Sequence, residues 1–232
     1  MDLPTALITG ASRGLGRALA TALNARGWRL VVDGRDPDRL AATVAAFPRP
    51  DLVTALAGDV ADPAHRTALA EAAAPRLELL VNNAGALGPS PLPRLADLRP
   101  IDLAEILAVN TAAPLALIQA VLPALVPGAR VIQISSDAAV EAYAGWGGYG
   151  ASKAALDHLS AVLAVEHPTL RMYAVDPGDM RTDMHQAAFP GEDISDRPTP
   201  ESVVPGLLAL LDADLPSGRY RAADLVPAEA VR

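Results

Sequence analysis

The chain has 232 residues, enough for one large α/β unit with a buried sheet and too few for two substantial ones. Half of it (51%) is hydrophobic but only 3% is aromatic, so the core has to be built from Ala, Val and Leu. A net charge of −8 argues against a nucleic-acid backbone as partner, and the absence of cysteine excludes disulfides, thiolate catalysis and cysteine-ligated zinc.

The opening Met1-Asp2-Leu3-Pro4 has no basic segment and no apolar run reads as membrane-spanning, so a soluble, cytoplasmic protein without a membrane partner is expected. Residues 5–9 (T-A-L-I-T) read as a strand, and the helical spacing of Leu15, Leu19, Ala22 and Leu23 predicts a helix over 13–26. The turn between them carries Gly10, Gly14 and Gly16, where missing side chains would let the backbone approach a pyrophosphate at a helix N-terminus. A second strand over 28–33 ends in Asp33-Gly34-Arg35, before a helix starting at Pro37. At such a tip an acid favours NAD and an arginine accommodates the 2′-phosphate of NADP, so Asp33 and Arg35 compete.

A third strand is predicted over 52–56, with Asp62 and Pro63 as N-cap and first residue of the next helix. A fourth strand over 77–81 runs into Asn82-Asn83-Ala84-Gly85. A proline-rich loop over 88–100 precedes a long helix over 102–125, in which Pro114 predicts a kink. The fifth strand, 131–134, delivers Ser135-Ser136 at its C-terminal end, where open α/β sheets bind ligands. A further helix runs through Lys153 to before Pro168, and a sixth strand over 171–175 leads to Asp176-Pro177-Gly178. The polar stretch 184–200 is expected to form a lid. A last helix over 201–212 and a short strand over 218–221 complete an alternation that predicts a single Rossmann-type doubly wound parallel sheet with helices on both faces.

Of the 19 lysines and arginines only Lys153 is lysine, and it stands four residues after Tyr149, one helical turn away on the same face. A compact ammonium is retained where a guanidinium does not fit. At about 4 Å and an effective dielectric near 20 it would stabilise a phenolate by roughly 4 kcal/mol, bringing a tyrosine pKa from about 10 to about 7. The pair could then serve as an acid/base.

The ordered set T-G-A-S-R-G-L-G, N-N-A-G, S-S followed by Y-G-A-S-K, and D-P-G-D-M-R-T resembles the short-chain dehydrogenase/reductase family over nearly the whole chain. The resemblance implies an oxidoreductase that moves a hydride between a nicotinamide and a small-molecule carbonyl or alcohol. It implies Asn110, Ser136, Tyr149 and Lys153 as catalytic residues. Ser136 would hydrogen-bond the carbonyl oxygen, Tyr149 would protonate it, Lys153 would lower the Tyr149 pKa and hold the ribose, and Asn110 would anchor a water in a proton relay. Gly10, Ser12, Arg13, Gly14, Leu15 and Gly16 would surround the pyrophosphate and adenosine end, and Asp59 and Val60 the adenine. Asn83, Ala84 and Gly85 would line the ribose side, and Pro177, Gly178, Met180 and Thr182 would meet the nicotinamide amide.

Counted from Gly27, the position of the acid in NAD-dependent relatives is Gly34 and the next is Arg35, so NADPH is expected to be preferred over NADH, with Arg35 and Arg13 on the 2′-phosphate. A homodimer or homotetramer is also expected. A non-catalytic NADP(H)-binding sensor on the same fold is the alternative; it would not need Ser136, Tyr149 and Lys153 together. Departures from the family pattern are the ending Pro216-Ser217-Gly218-Arg219-Tyr220, the short lid, and the acids Asp137 and Asp179 beside the site; together with Glu192, Asp193 and Asp196 these acids favour a neutral or cationic substrate over a polyanion.

Overall fold

Where both residues of each alternating pair along a strand are apolar, both faces of the sheet must be covered, and that pattern governs the architecture. The computed structural model describes residues 3–225, so Met1-Asp2 and 226–232 lie outside it. Seven strands, β1 (Thr5–Ile8), β2 (Arg29–Gly34), β3 (Val53–Ala57), β4 (Leu77–Asn82), β5 (Leu125–Ile134), β6 (Arg171–Asp176) and β7 (Gly218–Arg221), form one sheet in the order 3-2-1-4-5-6-7. Every pairing is parallel. This is a Rossmann-type doubly wound sheet, and its order reverses between β1 and β4, the switch point beside which such sheets bind ligands.

The helices are α1 (Gly14–Ala25), α2 (Pro37–Ala45), α3 (Pro63–Ala73), α4 (Pro100–Leu107), α5 (Ala113–Val121), α6 (Gly147–Glu166), α7 (Asp183–Ala188) and α8 (Val204–Asp212). Ile8, Val32, Ile132 and Tyr173 pack with Leu19 and Leu23 of α1 and Leu207 and Leu210 of α8. Their strand neighbours Leu7, Val31, Val131 and Met172 face the other way, onto Leu69 of α3, Leu117 and Val121 of α5 and Leu163 of α6. Truncating any fully buried leucine here to alanine would cost about 2–5 kcal/mol. Asp62 caps α3 as expected, accepting from Ala64 N at 2.9 Å, and Asp36 caps α2 in the same way, accepting from Arg39 N at 3.0 Å; each is followed by proline.

Four local expectations are corrected. The predicted kink at Pro114 is a π-helical turn over Ala108–Ala112 between α4 and α5, and Pro114 sits in the first turn of the restarted helix, where its missing N–H is not needed. The fifth strand begins at Leu125, six residues earlier than expected, because a backbone irregularity carries Pro127 and Gly128 past the pairing with β4. The stretch 184–200, read without a helix of its own, opens inside α7, which forms behind Thr182, whose Oγ1 accepts from His185 N at 3.2 Å. Finally, the helical stretch Pro100–Ala124 is long and apolar enough in composition to cross a membrane, contrary to expectation. Leu117, Ile118 and Val121 of that stretch are buried against the sheet. Ile101 on α4 and Val162 and Val165 on α6 are exposed, the apolar surface on which the expected self-association would rest.

Candidate active site

One cleft of about 1430 Å³ runs along the C-terminal ends of the strands, from Phe47 and Arg39 past the glycine turn to Trp146 and Phe189. Its first half is shaped by close backbone approach. Gly10 and Gly14 have φ of +67° and +55°, in the left-handed region that favours glycine. A Cβ at Gly16 would stand 2.4 Å from the Gly10 carbonyl oxygen, so α1 reaches its place only with glycine there. The side chain of Asn83 donates to the carbonyls of Thr9 at 2.9 Å and Gly10 at 3.1 Å, while Thr9 Oγ1 accepts from the backbone of Asn83 and Ala84, both at 3.0 Å. These bonds staple the N-N-A-G turn to the glycine turn. The start of α1 has neither a side-chain cap nor an acid in its first turn, which leaves it suited to an anion.

The tip of β2 separates its two candidate residues. Asp33 is buried, its Oδ1 accepting from Gly10 N at 2.6 Å and its Oδ2 lying 3.1 Å from His65 Nε2. It therefore braces the glycine turn. A Cβ at Gly34 would meet Ser12 Cβ and Oγ at 2.9 Å, which leaves no room for an acidic side chain unless Ser12 moves. Arg35 is exposed beside the cleft and makes no ion pair among the described residues. Arg13 pairs with Asp183 of α7 at 2.6 Å across the cleft, and Asp59 accepts from Ala61 N at 2.8 Å. The length of the cleft, the close-packed glycines and the uncapped helix fit a dinucleotide.

In the second half, buried polar groups take over. A Cβ at Gly150 would lie 2.5 Å from the Ala138 carbonyl oxygen, so glycine lets the start of α6 press against the turn after Ser136. The Ser136 hydroxyl donates to Asp137 Oδ1 at 2.9 Å and accepts from Ala138 N at 3.2 Å. Tyr149 is buried, with Trp146 edge-on at 5.7 Å. Lys153, 4% exposed, donates from Nζ to the Ile134 carbonyl at 2.7 Å and stands 5.6 Å from the centre of the Tyr149 ring.

The expected lowering of the Tyr149 pKa does not hold in this state. Burial, then the charges of Asp137 and Asp176, push the phenol above its ordinary value, and the Ser136 hydroxyl offsets only part of this. Burial likewise lowers Lys153 to about 8, against a smaller upward pull from Asp157. Desolvation, which the pairwise Coulomb argument left out, opposes both charged forms.

Of the residues expected to touch cofactor or substrate, Gly16 and Asn110 alone stand behind the cleft wall; the others line it. Asn110 sits in the π turn. Its Oδ1 accepts from Ala86 N at 2.7 Å, and its Nδ2 donates to the Ala86 carbonyl at 2.8 Å and to Ser152 Oγ at 2.9 Å. The substrate end is walled by Leu87, Trp146, Met184 and Phe189. Sequence reasoning missed Trp146 and Phe189, although each is one of only two residues of its type.

A family model described as short chain dehydrogenase matches residues 4–193. The chain is 31% identical to the uncharacterized oxidoreductase YciK of Escherichia coli (strain K12) over 221 residues, covering 90% of this chain and 86% of YciK. It is also 31% identical to an NADPH-dependent aldehyde reductase-like chloroplastic protein of Arabidopsis thaliana, covering 96% of this chain and 84% of the relative. A solved short chain dehydrogenase from Shigella flexneri, complexed with NADP, superposes with a TM-score of 0.88 at 28% identity, covering 96% of this chain and 98% of that one.

Proposed function

Because the chain belongs to the short-chain dehydrogenase family of oxidoreductases, we propose that it moves a hydride between NADP(H) and a small-molecule carbonyl or alcohol, with Tyr149 exchanging the proton. The observation that carries this reading is that Ser136, Tyr149 and Lys153 line the same cleft as the glycine turn. When bound, the nicotinamide supplies or accepts the hydride. In the reducing direction the Ser136 hydroxyl turns from Asp137 to the carbonyl oxygen, and the Tyr149 hydroxyl gives that oxygen its proton as the C–H bond forms. Lys153 then stabilises the phenolate left behind, and a water that Asn110 would anchor returns the proton from solvent.

NADP(H) over NAD(H) is supported by three features of the β2 tip: Asp33 is committed to Gly10, Gly34 leaves no room for an acid, and Arg35 is free to meet a phosphate. The NADP in the Shigella relative and the name of the Arabidopsis relative agree with this. NADPH oxidation across a panel of aldehydes and ketones, and NADP reduction across alcohols, tests the reaction. Tight NADPH binding with no turnover on any of them would favour the sensor reading instead. Arg35→Ala should lower kcat/KM for NADPH by about 10- to 100-fold, the worth of one or two charge-assisted bonds, and leave NADH use unchanged. An unaltered NADPH/NADH ratio would remove Arg35 from the role.

A further inference from the structure

Three chain segments bring catalytic groups to the cleft, and one guanidinium from the last strand touches all three. Arg219 of β7 donates from Nη2 to the carbonyl of Ser136 at 2.9 Å and from Nε to Asp157 Oδ2 at 3.0 Å, and its Nη2 lies 3.8 Å from Asp176 Oδ2. Ser136 ends the β5 segment. Asp157 stands one helical turn beyond Lys153 on α6. Asp176 ends β6 and through its Oδ1 accepts from Gly178 N at 2.9 Å, so it holds the Pro177-Gly178 turn that lines the cleft. The Arg219 side chain is only 28% exposed, and Asp157 and Asp176 less, so these contacts are poorly screened.

We propose that Arg219 is a positioning residue of the active site, fixing the Ser136 backbone, the Pro177-Gly178 turn and the Lys153 face of α6 as one unit and balancing the carboxylates behind Lys153. The inference rests on the reductase reading above.

A planar fork suits the role, because it serves a carbonyl and two carboxylates at once, which a lysine ammonium does not match in geometry. The charges around Lys153 make its consequence measurable. Tyr149 and Asp157 stand with it on α6, Asp137 follows β5, Asp176 ends β6 and Arg219 comes from β7; Asn110 and Thr111 of the π turn are neutral. Three carboxylates are thus set against two cations. Removing Arg219 leaves Asp157 and Asp176 uncompensated, and both favour keeping the proton on Lys153 and Tyr149.

Since Lys153 is the only lysine in the chain, isotope-labelled lysine gives a single side-chain resonance whose titration can be followed by NMR without assignment. Arg219→Gln should move that titration upward by about one pH unit, and Arg219→Gln/Asp157→Asn should return it close to wild type. In the single variant kcat should fall about tenfold while the NADPH Kd stays within about twofold, as expected of a residue that acts through others. A folded Arg219→Gln protein with an unmoved Lys153 titration would overturn the proposal, even if kcat fell, because a merely structural role loses activity without moving this charge. Should that variant not fold, Asp157→Asn decides: it should lower the Lys153 titration, and an unmoved one would overturn the proposal. The NMR readout needs no turnover, so a chain that binds NADPH without reducing anything would defeat the reductase reading and leave this titration to be judged separately.

Discussion

At the end of the cleft where β1 turns into α1, position is decided by backbone against backbone; where Ser136 meets Tyr149 and Lys153, it is decided by buried charge. Gly16 stands where a Cβ would come within 2.4 Å of the Gly10 carbonyl oxygen, and Asn83 closes the turn with two side-chain bonds. Such constraints are short in range and leave a mark on the sequence as glycine and asparagine. At the other end the residue types are equally plain, yet burial holds both Tyr149 and Lys153 towards their neutral forms, with Asp137 and Asp176 adding to it at the phenol and Asp157 opposing it at the ammonium. Geometry can therefore be read from local patterns, whereas the electrostatic state needs the assembled fold.

The largest test of that division is to remove proton transfer and leave the cofactor end intact. Tyr149→Phe should cut kcat by about 10²- to 10⁴-fold, the usual worth of a positioned acid/base, with NADPH binding near wild type. Lys153→Arg should cost a comparable factor, because a guanidinium does not fit the buried place from which Nζ reaches the Ile134 carbonyl. If Tyr149→Phe retained most activity, or lost cofactor affinity in proportion, the two ends would not be separable.

A smaller effect sharpens the same contrast through stability. Burial lowers the Lys153 ammonium to about 8 in the folded protein, from an ordinary 10.5. Between those values the unfolded chain keeps a proton that the folded chain has released, so stability rises with pH across the window. Below about pH 8 the full cost, about 3 kcal/mol, is present. The raised Tyr149 pKa acts oppositely: above about pH 10 the folded state holds a proton that the unfolded state loses, and stability falls. A urea midpoint higher at about pH 9.5 than at about pH 7.5 is expected, and the rise should vanish in Lys153→Met. A flat wild-type profile would mean that Lys153 is not desolvated as its 4% exposure indicates.

Most of the strands and the Asp62-Pro63 cap were legible because short apolar runs and Asp-Pro pairs are local signals. The start of β5 was not, since Pro127 and Gly128 carry no strand signal and only the pairing of Leu77 with Leu125 extends the strand over them. Helix α7 lay hidden in a polar stretch, although Thr182 is a readable N-cap. Arg219 was illegible for a deeper reason: in sequence it lies 83 residues from Ser136 and 62 from Asp157, and only the placing of β7 beside β6 brings it to them. The π turn carries no compositional mark apart from Pro114.

That proline gives the smallest expected effect. In an α-helix the carbonyl of Asn110 would accept from the N–H of residue 114, and proline has none, so that bond is not made. The side chain of Asn110 holds the π turn by three hydrogen bonds, to both backbone groups of Ala86 and to Ser152 Oγ. Pro114→Ala adds one donor worth about 0.5–1.5 kcal/mol net, too little to outweigh those three and unwind the turn into regular helix. What it can do is recruit the Asn110 carbonyl into the helix and away from the relay water that the family resemblance implies there. Turnover should then slow by about two- to tenfold, the rate equivalent of that one bond, with the NADPH Kd unchanged and the slowing greatest where proton transfer limits the rate. Equal turnover of Pro114→Ala and wild type at every pH would reduce the proline to a residue that merely tolerates a helix restart, and the relay would have to run by another path.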